Sequence, residues 1–171
     1  MCGYVGFTNT IGESAPEVLT AMMDKIIHRG PDSHGQFVND DIALGFRRLS
    51  IIDLEAGHQP LYNEDNTMAM VFNGEIYNYR QIREGLVAAG HVFKTESDSE
   101  VLIHGYEEYG EDLVPMLRGM FSFVIWDTKT KTLFGARDYF GIKPFYYARF
   151  GEDFLFGSEI KGFIPHPAFA A

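Results

Sequence analysis

Cys2 is the residue with the clearest chemical potential, because it is the only cysteine in the 171-residue chain. A lone cysteine in a cytosolic protein is most often a small buried hydrophobe. The position of Cys2 favours another interpretation, since removal of Met1 leaves a thiol and a free α-amine on one residue. An α-amine, with an ordinary pKa of about 7.7 to 8.0, acts as a base near neutral pH. The sequence therefore predicts a nucleophile that carries its own base.

A second candidate is the pair Asn73-Gly74, which follows an apolar run ending at Phe72. Asn-Gly is a common turn pair, so one interpretation is a turn at the end of a strand. The other assigns the Asn73 side-chain amide and the Gly74 backbone N–H as donors to an oxyanion, with glycine allowing close approach of a substrate. The residues alone leave both interpretations open.

Two charged residues are candidate binding groups. Arg48 lies near the end of a predicted strand, where an arginine is usually solvated, but its guanidinium fits a carboxylate bidentately. Asp98, in Ser97-Asp98-Ser99, is most simply the N-cap of a helix. It is also a partner for a substrate ammonium group. Neither role follows from spacing alone.

The elements that must position these residues follow from apolar periodicity and turn residues. Strands are predicted at residues 2–8, 36–39, 42–46, 68–72, 121–126, 133–137, 145–148 and 154–156. Helices are predicted from Ser14 to Ile27, where apolar side chains share one face, and near residues 78–89 and 99–109. Strands followed by helices and then strands predict a single α+β domain over residues 1–171, with antiparallel sheets covered by helices.

Composition narrows the functional classes. An apolar fraction of 46% predicts a folded protein, and a net charge of −10 disfavours nucleic-acid binding. We expect no membrane span and no signal peptide, hence a cytoplasmic protein. One cysteine excludes an intrachain disulfide and a cysteine-rich metal site. The histidines show no HExxH-type pairing, so we expect no metal ligands in this domain, although a site built from residues distant in sequence stays open.

Several short strings together resemble the class II glutamine amidotransferase domain, and more narrowly the N-terminal glutaminase domain of glutamine-dependent asparagine synthetases. They occur in order along nearly the whole chain: Met1-Cys2-Gly3, His28-Arg29-Gly30-Pro31-Asp32, Arg48-Leu49-Ser50-Ile51, Asn73-Gly74-Glu75-Ile76-Tyr77-Asn78, Ser97-Asp98, Ala136-Arg137-Asp138, Gly141-Ile142-Lys143-Pro144 and Gly157-Ser158-Glu159-Ile160-Lys161. Each string is weak alone, and their common order makes the signal strong.

The resemblance implies an N-terminal nucleophile hydrolase fold, a four-layer αββα sandwich. It implies that Cys2 attacks the side-chain amide of glutamine while its own α-amine moves the proton, through water. Asn73 and Gly74 would stabilise the tetrahedral oxyanion. Ammonia leaves, and water then releases glutamate from the thioester.

The resemblance also implies the substrate contacts. Arg48 would bind the α-carboxylate of glutamine, and Glu75 and Asp98 would recognise its α-ammonium group. In that family a synthetase domain with a glycine- and serine-rich ATP loop follows. This sequence has no Ser-Gly-Gly element and no GxxxxGK[ST] loop. We therefore expect no cofactor here, with ATP and Mg²⁺ needed only by the synthetase domain.

The expected partners are L-glutamine and a synthetase domain, with a homo-oligomer as a further possibility and no nucleic acid or membrane. Three alternatives stay open. The first is the glutaminase half of another amidotransferase, with a sugar phosphate or a different acyl-adenylate as acceptor. The second is a non-catalytic module that binds glutamine or docks a partner. The third is a cysteine peptidase, which needs a histidine beside Cys2, although no papain-like sequence surrounds that residue.

Overall fold

A computed structural model describes residues 2–49 and 58–170 of the chain. All strand pairs in this part of the chain are antiparallel. The strands are β1 (Gly3–Thr8), β2 (Ser33–Val38), β3 (Ile42–Arg48), β4 (Leu61–Tyr62), β5 (Met68–Ile76), β6 (Gly119–Asp127), β7 (Thr132–Arg137), β8 (Tyr146–Phe150) and β9 (Asp153–Gly157).

Helices occupy the segments between the strands. The α-helices are α1 (Ala15–Lys25), α2 (Tyr79–Ala89), α3 (Glu100–Tyr109), α4 (Leu113–Met116) and α5 (Pro167–Ala170). Short 3-10 turns lie at Gly12–Ser14, Ile27–Arg29, Gly110–Asp112 and Ile160–Phe163. Within the described ranges, no helix combines the length and the apolar character that crossing a bilayer requires.

The strands form two sheets. One has five strands in the order β2-β3-β1-β9-β8, and the other has four in the order β4-β5-β6-β7. In the first sheet Gly3 lies opposite Arg47, and in the second Asn73 lies opposite Ser122. These two registers decide which side chains meet between the sheets.

Residues 3–7 of β1 and 68–72 of β5 are apolar because these parts of the two strands bury both of their faces. On β1, Tyr4 points into the core between the sheets, whereas Val5 packs on the α1 side. On β5, Val71 points between the sheets and Phe72 packs under α2 and α3.

Three apolar cores therefore separate four layers. The first lies between α1 and the five-stranded sheet, the second lies between the two sheets, and the third lies between the four-stranded sheet and α2 with α3. Aromatic and aliphatic side chains that are removed from water drive this stacking. The predicted α+β fold, a four-layer αββα sandwich of antiparallel sheets, is confirmed.

Several boundaries differ from the prediction. The sequence predicted that β5 ends at Phe72, yet the strand continues through Asn73-Gly74 to Ile76 because β6 pairs with it as far as Gly119. Partner pairing thus overrides the turn preference of Asn-Gly. The first helix ends at Lys25, and Ile27 is exposed rather than on its buried face. The two-residue strand β4 and the short helices α4 and α5 were not predicted.

Candidate active site

One end of the sandwich gathers the residues singled out in the sequence. At the opposite end, the β2–β3 turn meets the β6–β7 turn, where Lys131 Nζ lies 2.9 Å from Asp41 Oδ1. The strand ends remote from that ion pair are the start of β1, the end of β3 and the end of β5. We call this the Cys2 end, and it holds Cys2, Arg48 and Asn73.

Register and alternation place Cys2 and Arg48 on the same face. Because Gly3 pairs with Arg47 in an antiparallel ladder, the next position brings Cys2 opposite Arg48. Arg48 continues the face of Phe46, which points between the sheets, and Cys2 packs against the same core. Both residues therefore face the four-stranded sheet.

The Cys2 thiol lies against the backbone at the end of β3. The Leu49 N–H donates to Sγ at 3.4 Å, and Sγ lies 3.7 Å from the Leu49 carbonyl oxygen. A backbone N–H aimed at sulfur stabilises negative charge there. Cys2 as a residue is half-buried rather than enclosed in the core.

The Cys2 backbone is held by Arg29, which is almost buried. Its Nε donates to the Cys2 carbonyl oxygen at 3.0 Å, and its Nη1 donates to Glu159 Oε1 at 2.9 Å. Gly3 leaves room for this side chain, since a Cβ there would lie 2.8 Å from Arg29 Cδ. A planar guanidinium with several fixed donors suits this bridging role.

Glu159 is the centre of a small charged network. His28 Nε2 lies 3.0 Å from its Oε1, and Lys161 Nζ lies 3.4 Å from its Oε2. Burial acts to raise the pKa of Glu159, but the hydrogen bonds from Arg29 and His28 outweigh it and hold the pKa below its usual value. The carboxylate thus stays charged and keeps Arg29 in place.

Asn73 supplies an unpaired donor at the Cys2 end. Its side chain is 3% exposed, and Nδ2 has no hydrogen-bond partner among the described residues. A buried amide N–H₂ without a partner is costly, and native proteins keep such groups where they serve a function. Alternation puts Asn73 on the inner face of β5, with Val71, toward the sheet that carries Cys2.

The backbone edge of β5 that faces away from β6 presents a second donor. Gln59 caps Phe72 there, with Oε1 accepting from the Phe72 N–H at 2.6 Å. Asp98 Oδ2 accepts from the Ile76 N–H at 2.7 Å. Because alternate residues of a strand direct their N–H groups to the same edge, the Gly74 N–H lies on this edge between two capped amides.

The glycine at position 74 is required by the neighbouring strand. A Cβ on Gly74 would lie 2.2 Å from the Met120 carbonyl oxygen and 2.7 Å from Phe121 Cα. The structure thus shows close approach of β6 at this glycine. Close approach of a substrate to Gly74 stays a prediction. Any side chain here would push β6 away and displace the Asn73 amide.

Asp98 and Glu75 make the rim acidic. Burial raises the pKa of the Asp98 carboxyl, the Ile76 hydrogen bond acts to lower it, and the charge of Glu75 adds to the rise. Glu75 is exposed on the face of β5 that carries Asn73. Two carboxylates that repel each other are stabilised by a cation between them.

Asp98 does not act as the helix N-cap that the sequence suggested. Ser99 is the residue that precedes α3, and the Asp98 carboxylate instead accepts from the Ile76 N–H of β5. Hence the loop before α3 is tied to the strand that carries Asn73 and Gly74.

Sequence reasoning missed Arg29, Glu159 and Gln59 as site residues. The sequence did point to Arg29 and Glu159, because each lies in one of the strings that resemble the family. In the structure the two side chains form a hydrogen bond. Gln59 had no such signal. Met1, Ser50 and Ile51, which belong to two of the noted strings, lie outside the described residues.

Comparison with known proteins identifies the family of the chain. Residues 1–171 match the family model of the glutamine amidotransferase domain. The chain is 49% identical over 168 residues to "Asparagine synthetase [glutamine-hydrolyzing] 1" of Bacillus subtilis (strain 168), covering 96% of this chain and 27% of that protein. It is 44% identical over 165 residues to "Asparagine synthetase [glutamine-hydrolyzing] 3" of Arabidopsis thaliana, covering 94% and 28%.

A solved structure shares the fold. Glutamine phosphoribosylpyrophosphate amidotransferase from B. subtilis, complexed with ADP and GMP, superposes with a TM-score of 0.76 at 24% identity, covering 95% of this chain and 43% of that one. The chain spans 27% and 28% of the length of the two asparagine synthetases above. The match over residues 1–171, together with the fold, assigns the family. The chain belongs to the glutamine amidotransferase domain family.

Proposed function

We propose that the chain hydrolyses the side-chain amide of L-glutamine to glutamate and ammonia through a thioester on Cys2. The observation that carries the proposal is the buried Nδ2 of Asn73, which has no hydrogen-bond partner among residues 2–49 and 58–170 and lies on the face of β5 toward the sheet that carries Cys2. Acyl transfer needs a nucleophile and a fixed donor for the developing oxyanion, and the Cys2 end provides both.

The reaction begins once Met1 is removed and the α-amine of Cys2 is free. Sγ attacks the amide carbon, and its proton passes to the α-amine. The oxyanion accepts hydrogen bonds from Asn73 Nδ2 and the Gly74 N–H. When the tetrahedral intermediate collapses, the C–N bond breaks and the amine's proton goes to the leaving ammonia. Water then attacks the thioester, which releases glutamate and restores the thiol.

Charges at the Cys2 end fit the two ends of an amino acid. The Arg48 guanidinium binds the α-carboxylate of glutamine bidentately. Asp98 and Glu75 bind the α-ammonium group, which relieves the repulsion that helps to raise the Asp98 pKa. Because the mechanism needs a free thiol, a reducing compartment such as the cytoplasm suits it.

The ammonia is used by a synthetase domain that makes asparagine from aspartate with ATP and Mg²⁺. Support comes from the asparagine synthetase relatives, of which this chain spans a minor part. A large apolar surface also needs a partner: Tyr139 and Phe140 are 96% and 84% exposed and border a cavity of roughly 610 Å³ with Tyr77. Exposed patches of this kind mark protein interfaces.

Other acceptors and a non-catalytic role have less support. The sugar-phosphate alternative is not favoured, because the amidotransferase of known structure shares 24% identity while the asparagine synthetases share 42 to 49%. A module that only binds glutamine has no need of a nucleophile at the same end of the fold as Asn73, whose buried Nδ2 is unpaired within the described ranges. A peptidase dyad needs a histidine at Cys2, whereas in the described part of the chain Sγ contacts the backbone of Leu49.

The test is glutamate release from glutamine by the purified chain and by Cys2→Ala, with the N-terminal mass measured for both. We expect release by the chain that begins at Cys2 and none by the variant. A chain that keeps Met1 should be inactive and gain activity when an aminopeptidase removes the methionine. Absence of release from a folded chain with Cys2 exposed would refute the proposal.

A further inference from the structure

A cluster of histidine and glutamate side chains lies away from the Cys2 end, on the helical side of the four-stranded sheet. Glu64 follows β4, His91 follows α2, and His104 and Glu107 share one face of α3 at a spacing of three residues. One ligand atom from each of the four lies within 4.8 Å of every other. Three separate segments thus meet at one point.

The separations match those of a metal coordination sphere. His91 Nδ1 lies 3.3 Å from Glu64 Oε1 and 3.9 Å from Glu107 Oε2, and His104 Nδ1 lies 3.2 Å from Glu64 Oε2. A tetrahedral ion with bonds of about 2.0 to 2.1 Å places its ligand atoms about 3.3 to 3.4 Å apart. The cluster therefore needs only small movements to close around an ion.

The Nδ1 atom of His104 is a buried ring nitrogen that faces the cluster. The His104 side chain is 1% exposed, and its Nδ1 makes no hydrogen bond with any described residue, although Glu64 is close. A buried ring nitrogen without a hydrogen bond calls for an explanation. The Nδ1 lone pair of His104 can therefore bind an ion placed between the four side chains.

Outer partners orient both imidazoles in the same way. His104 Nε2 lies 3.4 Å from Glu100 Oε1, and His91 Nε2 lies 3.3 Å from Glu108 Oε2. An imidazole that donates one N–H to a carboxylate presents its other nitrogen to a metal, which is the usual arrangement at metal-binding histidines. Both Nδ1 atoms are therefore directed into the cluster.

The two carboxylates are also held from outside. Asn63 Nδ2 donates to Glu107 Oε1 at 3.2 Å, and the Val92 N–H donates to Glu64 Oε1 at 3.0 Å. Each candidate ligand thus has its own supporting contact. Such support is what separates a built site from carboxylates that merely share a surface.

We propose that Glu64, His91, His104 and Glu107 bind one divalent transition-metal ion of the zinc type. Two imidazoles with two carboxylates suit zinc, whereas magnesium and calcium prefer oxygen ligands. The site departs from our expectation of no metal, because its ligands are spread over 44 residues and form no motif. The ion cross-links the β4–β5 connection, the loop after α2, and α3.

The cross-link extends toward the loop that carries Asp98. Glu100, beside His104, also accepts from the Lys94 N–H at 2.7 Å and the Thr95 N–H at 2.8 Å. Burial acts to raise the pKa of Glu100, but its hydrogen bonds outweigh burial and hold the pKa at about 2. The ion thus stabilises the loop just before Asp98 through His104 and Glu100.

Metal titration tests the site without reference to catalysis. We would titrate Co²⁺ and then Zn²⁺ into the tag-free chain carrying Cys2→Ala, which removes the thiol as a competing ligand. We expect one Co²⁺ per chain with the strong visible bands of tetrahedral cobalt, displacement by Zn²⁺, and a Tm that rises with Zn²⁺. If the parent, which is the chain with Cys2 intact, binds Co²⁺ and Zn²⁺ as Cys2→Ala does, the metal binds away from Cys2.

Variants decide between a metal site and a plain ion-pair cluster. His91→Ala, or Glu107→Gln where the first fails to fold, should weaken Zn²⁺ binding by about tenfold or more and abolish the Zn²⁺-dependent rise in Tm. His34→Ala, at an exposed histidine on β2, should bind like the parent. No cobalt spectrum in the parent, or unchanged binding in both cluster variants, would overturn the proposal.

Discussion

Tyr4 and Ser122 join the two sheets through a hydrogen bond between their hydroxyl groups. Both side chains are fully buried, and burial raises the pKa of the Tyr4 hydroxyl, so it stays neutral. Tyr4 lies two residues after Cys2 on the same face, and Ser122 lies opposite Asn73. The bond therefore fixes the strand that follows Cys2, the proposed nucleophile, relative to the strands that hold Asn73, the proposed oxyanion donor.

Tyr4→Phe should destabilise the protein by about 1 to 3 kcal/mol, because it leaves the Ser122 hydroxyl buried without a partner. Ser122→Ala should cost a similar amount for the reciprocal reason. The double variant should cost less than the sum of the two, as expected for groups in contact. Urea unfolding measures all three, and additive effects would show that the two hydroxyls are not coupled.

Asn73→Ala should lower kcat for glutamine hydrolysis by about 10² to 10³, because it removes one of two proposed oxyanion donors. The free energy of unfolding should change much less, since Nδ2 has no protein partner to lose among the described residues. Steady-state kinetics together with urea unfolding separate the two effects. A loss of less than about tenfold would rule out the oxyanion role.

Arg48→Ala should mainly raise KM for glutamine, by about tenfold to hundredfold, because a charge-assisted contact to the α-carboxylate is lost. Arg149→Ala is the matched control: this arginine is exposed on β8 and donates to Gly151 within its own hairpin. The control should leave KM unchanged. A fall in kcat with unchanged KM in Arg48→Ala would contradict a binding role.

The parts of this site that could be predicted from the sequence are those set by local pattern. Apolar patterns predict all the described strands except β4. The position of Cys2 in the chain predicts a nucleophile, a role that stays a prediction. The sequence offers Asn73 as a candidate donor, and that role stays a prediction; its place inside β5 depends on pairing with Ser122, 49 positions away. Local turn preference cannot anticipate a partner strand so distant.

Long-range contacts account for what could not be predicted. Arg29 forms a hydrogen bond with Glu159, which lies 130 positions away in the chain. No local sequence pattern around either residue predicts this contact. Local rules predict that Asp98 caps a helix. They cannot anticipate the bond that Asp98 accepts from the Ile76 N–H, because Ile76 belongs to a strand 22 positions earlier in the chain. The long-range contacts that support a candidate site are therefore the part of it that the sequence predicts least.

Asp98→Asn should raise KM by about tenfold or more while leaving the free protein at least as stable at neutral pH. The amide oxygen still accepts from Ile76, but the charge that binds an ammonium group is lost. Because the folded pKa of Asp98 is raised, its ionisation opposes folding as pH rises through that pKa. Thermal unfolding at neutral pH and steady-state kinetics check both parts. A lower Tm with an unchanged KM would contradict the assignment.

The same raised pKa predicts how glutamine binding depends on pH. Binding the α-ammonium group requires ionised Asp98, so KM for glutamine should rise as pH falls through the folded pKa of Asp98. The rise should be absent in Asp98→Asn, whose KM is high throughout. Measuring KM across acidic pH for both proteins tests this, and the same rise in the variant would assign the effect to another group.

Glu159→Gln should lower kcat by up to about 10²-fold with little change in KM, because Glu159 holds Arg29, and Arg29 holds the Cys2 carbonyl oxygen. Misplacing the nucleophile slows attack without removing any contact to glutamine. Lys161→Ala, which removes an exposed member of the same network, is the control and should retain the parent kcat. Arg29→Lys should resemble Glu159→Gln, since an ammonium group keeps the charge but cannot bridge two acceptors with the same geometry. Equal kcat values for Glu159→Gln and Lys161→Ala would show that the network serves stability alone, and urea unfolding of the two variants would then reveal the difference.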